Sequence, residues 1–156
     1  MPLSSAQLTA LKADILADPI LNAHPSNSDG AFAIATAYNL LAVPDYVVWR
    51  TNVPTSECKK AMVWTEFIGR SAGERDAWQF MLSNGFINGA DVNVRQGIQD
   101  IFSGASGATS RTNLSNIAKR NATRAEKLFA VGLGTSVSPS TMGFENGLSY
   151  QDVEID

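Results

Sequence analysis

One cysteine and one histidine in 156 residues remove most of the usual routes to chemistry. Cys58 alone cannot form an internal disulfide, which suits synthesis in a reducing compartment. His24 alone, in a loop beside Pro25, leaves nucleophilic triads and most zinc sites without convergent partners. No apolar run approaches the roughly 18 residues that span a bilayer. The opening MPLSSAQLTALKADIL lacks the basic start and apolar core of a signal peptide, so synthesis in the cytoplasm and no membrane partner are expected. Basic residues are absent after Lys127, where the four remaining acids are Glu145, Asp152, Glu154 and Asp156.

What is present is ordinary globular material. Hydrophobic residues make up 44% and charged residues 17%, too apolar for a wholly disordered chain. The net charge of −3 disfavours nucleic-acid binding by the whole surface, though a local basic face survives that objection. One domain of this length buries roughly two thirds of its unfolded surface.

The helical period dominates. Leu8, Leu11 and Ile15 share a face, with Ser4 and Gln7 as a capping box, and Pro19 ends that helix. A second helix, capped by Ser28 or Asp29, reaches about Leu41 and is apolar on most sides, which predicts central burial. Residues 45–53, DYVVWRTNV, read as extended. Pro54 opens a third helix to about Ile68. Ser71 and Glu74 cap a fourth that ends at Asn84-Gly85. Residues 91–103 present Val94, Ile98, Ile101 and Phe102 on one side. The spacing predicts a last helix over 111–129, RTNLSNIAKRNATRAEKLF, stopped by Gly132. The expected fold is mainly α: a compact bundle of five to six helices over 1–131 with one short extended segment. Residues 132–156 would form a flexible connector and a C-terminal extended arm.

No reaction emerges from these residues. The carboxylate pairs Glu74/Asp76 and Asp152/Glu154 sit in a helix's opening turn and in the expected arm. Gly132-Leu133-Gly134 follows a helix, so it cannot aim helix N–H groups at a phosphate. Candidate catalytic residues, metal ligands and cofactors are none. Candidate binding residues are more numerous. At 3.6 residues per turn Arg120, Arg124 and Lys127 share a face, with Lys119 beside them. In the arm, Phe144, Leu148, Tyr150 and Val153 are too irregularly spaced for a helix face, and the second half alternates as a short strand would. The mid-chain aromatics Tyr46, Trp49, Trp64, Trp78 and Phe80 are core by default. Trp49, extended beside Arg50, is a candidate anchor.

Three stretches carry a resemblance. AFAIATAYNLLAVPDYVVWRTNVP, NVRQGIQDIF and AKRNATRAEKLFAVGLGTSVSPSTMGFENGLSYQDVEI resemble a family of small virion structural and morphogenesis proteins from tailed bacteriophages and proteobacterial prophages. The likeness runs over nearly the whole chain, and the ATRAEKLFA…LSYQDV ending is its most specific part. Asn146 departs from the family's glycine and leaves Gly147 to make the turn. The resemblance implies a non-enzymatic virion component, first a head–tail connector (neck or adaptor) assembling as a ring, then head decoration or a tail component. Implied partners are copies of itself and portal, capsid or tail proteins. The rival from another class is a small DNA-binding packaging accessory, using Arg111, Lys119, Arg120, Arg124 and Lys127 on phosphates without sequence specificity.

Overall fold

A computed structural model describes residues 3–154. Nine α-helices are found among them: α1 (Ser5–Ala17), α2 (Ser28–Asn39), α3 (Thr55–Ala61), α4 (Trp64–Ile68), α5 (Ala72–Met81), α6 (Val92–Ile101), α7 (Ala108–Ile117), α8 (Arg124–Phe129) and α9 (Tyr150–Val153). Four short strands accompany them: β1 (Val47–Trp49), β2 (Val53–Pro54), β3 (Phe86–Ile87) and β4 (Lys119–Asn121). β1 pairs with β4, and β2 pairs with β3 in the register Val53↔Ile87 and Pro54↔Phe86. The fold is mainly α with two small antiparallel sheets, not a pure bundle. No helix of the described residues is long and apolar enough to cross a membrane.

The chain divides into two compact units. The first holds residues 1–48 and 121–156, and the second holds 49–120. This division replaces the expected one at residue 131, because the C-terminal segment belongs to the first unit's core.

In the first unit, α1 begins with the Ser4–Gln7 capping box that the sequence signals. Leu11 and Ile15 are buried, whereas Leu8 is exposed. α2 is capped by Asn27, whose side chain accepts from the Gly30 N–H at 2.9 Å. Ile34, Ala35 and Tyr38 of α2 are buried, but Phe32 is 66% exposed, so α2 is not surrounded on all sides. Leu148 and Val153 complete this core beside Leu11, Ile15, Leu21 and Ala125. Phe129 and Phe144 meet edge to face at 5.6 Å on its margin.

The second unit packs Val53, Cys58, Met62, Trp78, Ile87, Ile98, Ile101, Phe102 and Leu114 together. Trp78 and Phe102, both buried, stand edge to face at 5.3 Å. The α5 capping box, Ser71 with Glu74, forms as its sequence predicts. Of the other mid-chain aromatics, Trp64 and Phe80 are exposed, and only Trp78 of the five is fully enclosed.

Two expected helices are broken. The stretch 54–68 stops at Met62, and the Val63 N–H donates to the buried Ser110 hydroxyl at 2.9 Å. The stretch 111–129 stops at Ala118, runs extended as β4 and restarts at α8. The Ala118 carbonyl accepts from Arg50 N–H at 2.8 Å, so the helical ladder yields to pairing with the strand. α8 has its own capping box, Thr123 with Glu126.

Candidate protein-binding interface

The restart at α8 decides the fate of the expected basic face. Lys119 and Arg120 lie in a strand, and Arg124 and Lys127 lie in a separate six-residue helix. The four cations therefore do not share one helix. Arg124 is held by two carboxylates, Asp14 at 3.0 Å and Asp18 at 2.9 Å. Its guanidinium carbon lies 4.7 Å over the Tyr38 ring, and the Tyr38 hydroxyl donates to Asp14. Burial and the Asp14 hydrogen bond push the Tyr38 phenol well above its ordinary value. Asp18 is held below the usual carboxylate range by the Leu21 N–H and by Arg124. This network ties α1, α2 and α8 together, so Arg124 serves the fold. Lys127 lies 5.7 Å from the Tyr46 ring centre.

The expected arm is also reassigned. Residues 150–153 form a helical turn capped by Ser149 and Asp152, not a strand. Leu148 and Val153 are enclosed by the first unit and present nothing to a partner; Phe144 packs on the core edge, and Tyr150 is 42% exposed. The connector is anchored as well. Val131 and Thr141 exchange backbone hydrogen bonds at 2.9 and 3.0 Å. Ser140 N–H donates to Val47 C=O at 2.9 Å, and Val47 N–H to Gly134 C=O at 2.7 Å. The Tyr46 hydroxyl donates to the Gly132 carbonyl at 3.0 Å and lies 2.7 Å from the Ser140 hydroxyl. Gly134, at φ +68°, lies against the Tyr46 ring, where a Cβ would sit 2.1 Å from the nearest ring atom.

What this leaves uncovered in the first unit is apolar. Ile20, Leu40, Leu41 and Val43 line a groove of about 790 Å³ and are 76%, 63%, 59% and 91% exposed. Asp14, Asp18, Arg124 and Lys127 also line this groove, two acids and two bases, with Arg124 paired to both aspartates. Residues 40–42 run extended: Ala42 N–H donates to Ala122 C=O at 2.9 Å and Arg124 N–H to Leu40 C=O at 2.9 Å. Leu41, bridged to Thr123, makes no backbone hydrogen bond of its own among the described residues. A bare backbone edge with an apolar lip is a surface suited to receiving an extended segment. Also in the first unit, Val131, Leu133 and Val137 of the anchored loop are 77%, 74% and 93% exposed. The groove is not evident from periodicity, because Leu40, Leu41 and Val43 belong to the apolar run Gly30–Pro44, which reads as interior.

Trp49, the candidate anchor, is half-buried in the second unit, with the Arg95 guanidinium 4.4 Å and the Lys119 ammonium 5.6 Å from its ring centre. Cys58 is enclosed in that unit's core, and burial pushes its thiol up to about 11, so it is protonated and inert at neutral pH. Among the described residues no cluster of three or more His, Cys, Asp or Glu could hold a metal ion. No protein-family model, no curated protein and no solved structure matches the chain.

Proposed function

We propose that this chain is a non-enzymatic structural protein of a tailed-phage virion, a head–tail connector that assembles as a ring of identical copies. The observation that carries the reading is the uncovered apolar lip of Ile20, Leu40, Leu41 and Val43 around an unpaired backbone edge. Exposed contiguous apolar surface on a folded unit marks a place that another chain covers. We assign a neighbouring copy as that chain. The loop carrying Val131, Leu133 and Val137 belongs to the longest uncharged run of the sequence, Leu128–Phe144. It is uncharged like the lip it would cover, and already ordered by Tyr46 and Ser140. A groove on one copy and a loop on the next make a heterologous, head-to-tail contact, and such contacts generate rings when the rotation closes. Pre-ordering the loop reduces the entropy lost on association. The resemblance over nearly the whole chain supports the virion setting, with portal, capsid or tail proteins as further partners.

The DNA-binding alternative needs Arg111, Lys119, Arg120, Arg124 and Lys127 to act on one surface. They are divided among α7, β4 and α8, and Arg124 is committed to Asp14 and Asp18. The deciding experiment is to locate the protein in density of intact particles. Symmetric density at the neck supports the connector; absence from the particle refutes the virion role.

A further inference from the structure

The second unit carries a pocket that the connector reading does not use. Trp49, Ile98, Leu114 and Ala118 give it apolar walls, and Arg95 and Arg111 line it in a volume of about 310 Å³. That is the low end of the range for specific ligand sites, about 300–1,000 Å³. No aspartate or glutamate lines it. Arg95 donates to the Gly89 carbonyl at 2.7 Å, and Arg111 donates to the carbonyls of Phe102 and Gly104. Among the described residues neither guanidinium meets a carboxylate, in contrast to Arg50, which pairs with Glu57, and Arg124. Both arginines are half-buried, so each keeps N–H donors in a partly desolvated place where an anion is worth most.

We propose that this pocket binds an acidic peptide segment of another protein, taking an apolar side chain against Trp49 and Leu114 and an adjacent Asp or Glu on Arg95 and Arg111. Planar guanidinium forks match carboxylates in two-point geometry. The apolar walls ask for a ligand with a hydrocarbon body, which a phosphodiester backbone does not offer. The inference does not depend on the virion role, since it uses only the charge balance and shape of one unit.

The test titrates the full ¹⁵N-labelled chain with the capped peptide Gly-Phe-Glu-Leu-Asp-Gly, following the Trp49 indole N–H resonance, assigned with Trp49→Phe. The expected result is a saturating shift, with the Gln/Asn analogue of the peptide binding about tenfold more weakly or worse, as loss of a charge-assisted pair implies. Arg95→Gln should lose a similar factor, Arg95→Lys less, and high salt should weaken binding. Arg111→Gln should also weaken it, but Arg111 holds two backbone carbonyls, so Arg95→Gln with an unchanged thermal melt carries the decision. Equal affinity for acidic and amide peptides, no shift at millimolar peptide, or tighter binding of a single-stranded oligonucleotide would each overturn the proposal.

Discussion

The side-chain amide of Asn39 brackets the backbone of Leu148: its oxygen accepts from the Leu148 N–H at 2.8 Å, and its nitrogen donates to the Leu148 carbonyl at 2.9 Å. A residue at the end of α2 thereby behaves as a one-residue strand for a segment more than a hundred positions away. Leu148 is 4% exposed beneath this clasp. Asn39→Ala should cost about 1–3 kcal/mol, the range for leaving buried polar groups unpaired. Leu148→Ala should cost about 2–5 kcal/mol through lost burial and a cavity. Urea unfolding measures both. A truncation before residue 144 that left stability unchanged would return this segment to the status of a loose arm.

The turn before Leu148 is made by Asn146, at φ +89°, and not by Gly147. Left-handed backbone is tolerated by asparagine and favoured by glycine. Gly147 instead lies against the Asn39 side chain, where a Cβ would approach to 3.0 Å. Asn146→Gly should be neutral to stabilising, and Asn146→Ala should destabilise by about 1 kcal/mol. A thermal melt of the two variants checks the order.

Arg124 and Lys127 should separate cleanly. Arg124→Ala removes the partner of both Asp14 and Asp18 and should lower Tm by roughly 5 °C, whereas Lys127→Ala should shift it by less than about 2 °C. Equal shifts would contradict the placement of Arg124 inside a structural network.

Several features of this fold are legible in the sequence because they are local. Ser4-x-x-Gln7 and Ser71-x-x-Glu74 announce α1 and α5, and Ile98, Ile101 and Phe102 fall on the buried side of α6. The single long helix over 111–129 fails because periodicity carries through Ala118–Thr123, while the choice of strand is made by a distant partner, β1. A local signal for the restart exists: Thr123-x-x-Glu126 is a capping box inside the predicted helix, and Ser149-x-x-Asp152 marks α9 in the same way. The groove was hidden for a different reason. Leu40, Leu41 and Val43 continue the apolar run of α2, and only the strand pairing with 122–124 turns them outward.

Acid should weaken the fold in a defined window. Asp18, Glu57, Glu66 and Glu74 are held below their ordinary values, respectively by the Leu21 N–H, by Arg50, by the Ser110 hydrogen bonds and by the Ser71 N–H. A depressed folded pKa contributes stability that is present above the unfolded value and lost as pH falls through the folded one. Unfolded carboxylates titrate near 3.9 to 4.3, so stability should be level above about pH 5 and fall progressively below about pH 4. Urea midpoints at pH 7, 4 and 3 measure this, and an unchanged midpoint at pH 3 would contradict it.

The central claim is that the apolar lip joins neighbouring copies in the particle, and Leu41→Glu with Val43→Glu tests it most directly. Both side chains are exposed, so the isolated variant should melt as the parent does. The measurement is the copy number of the variant in purified virions, by quantitative mass spectrometry beside a capsid protein. Loss of incorporation with an unchanged melt is the predicted result, and incorporation at the parent's copy number would contradict the claim.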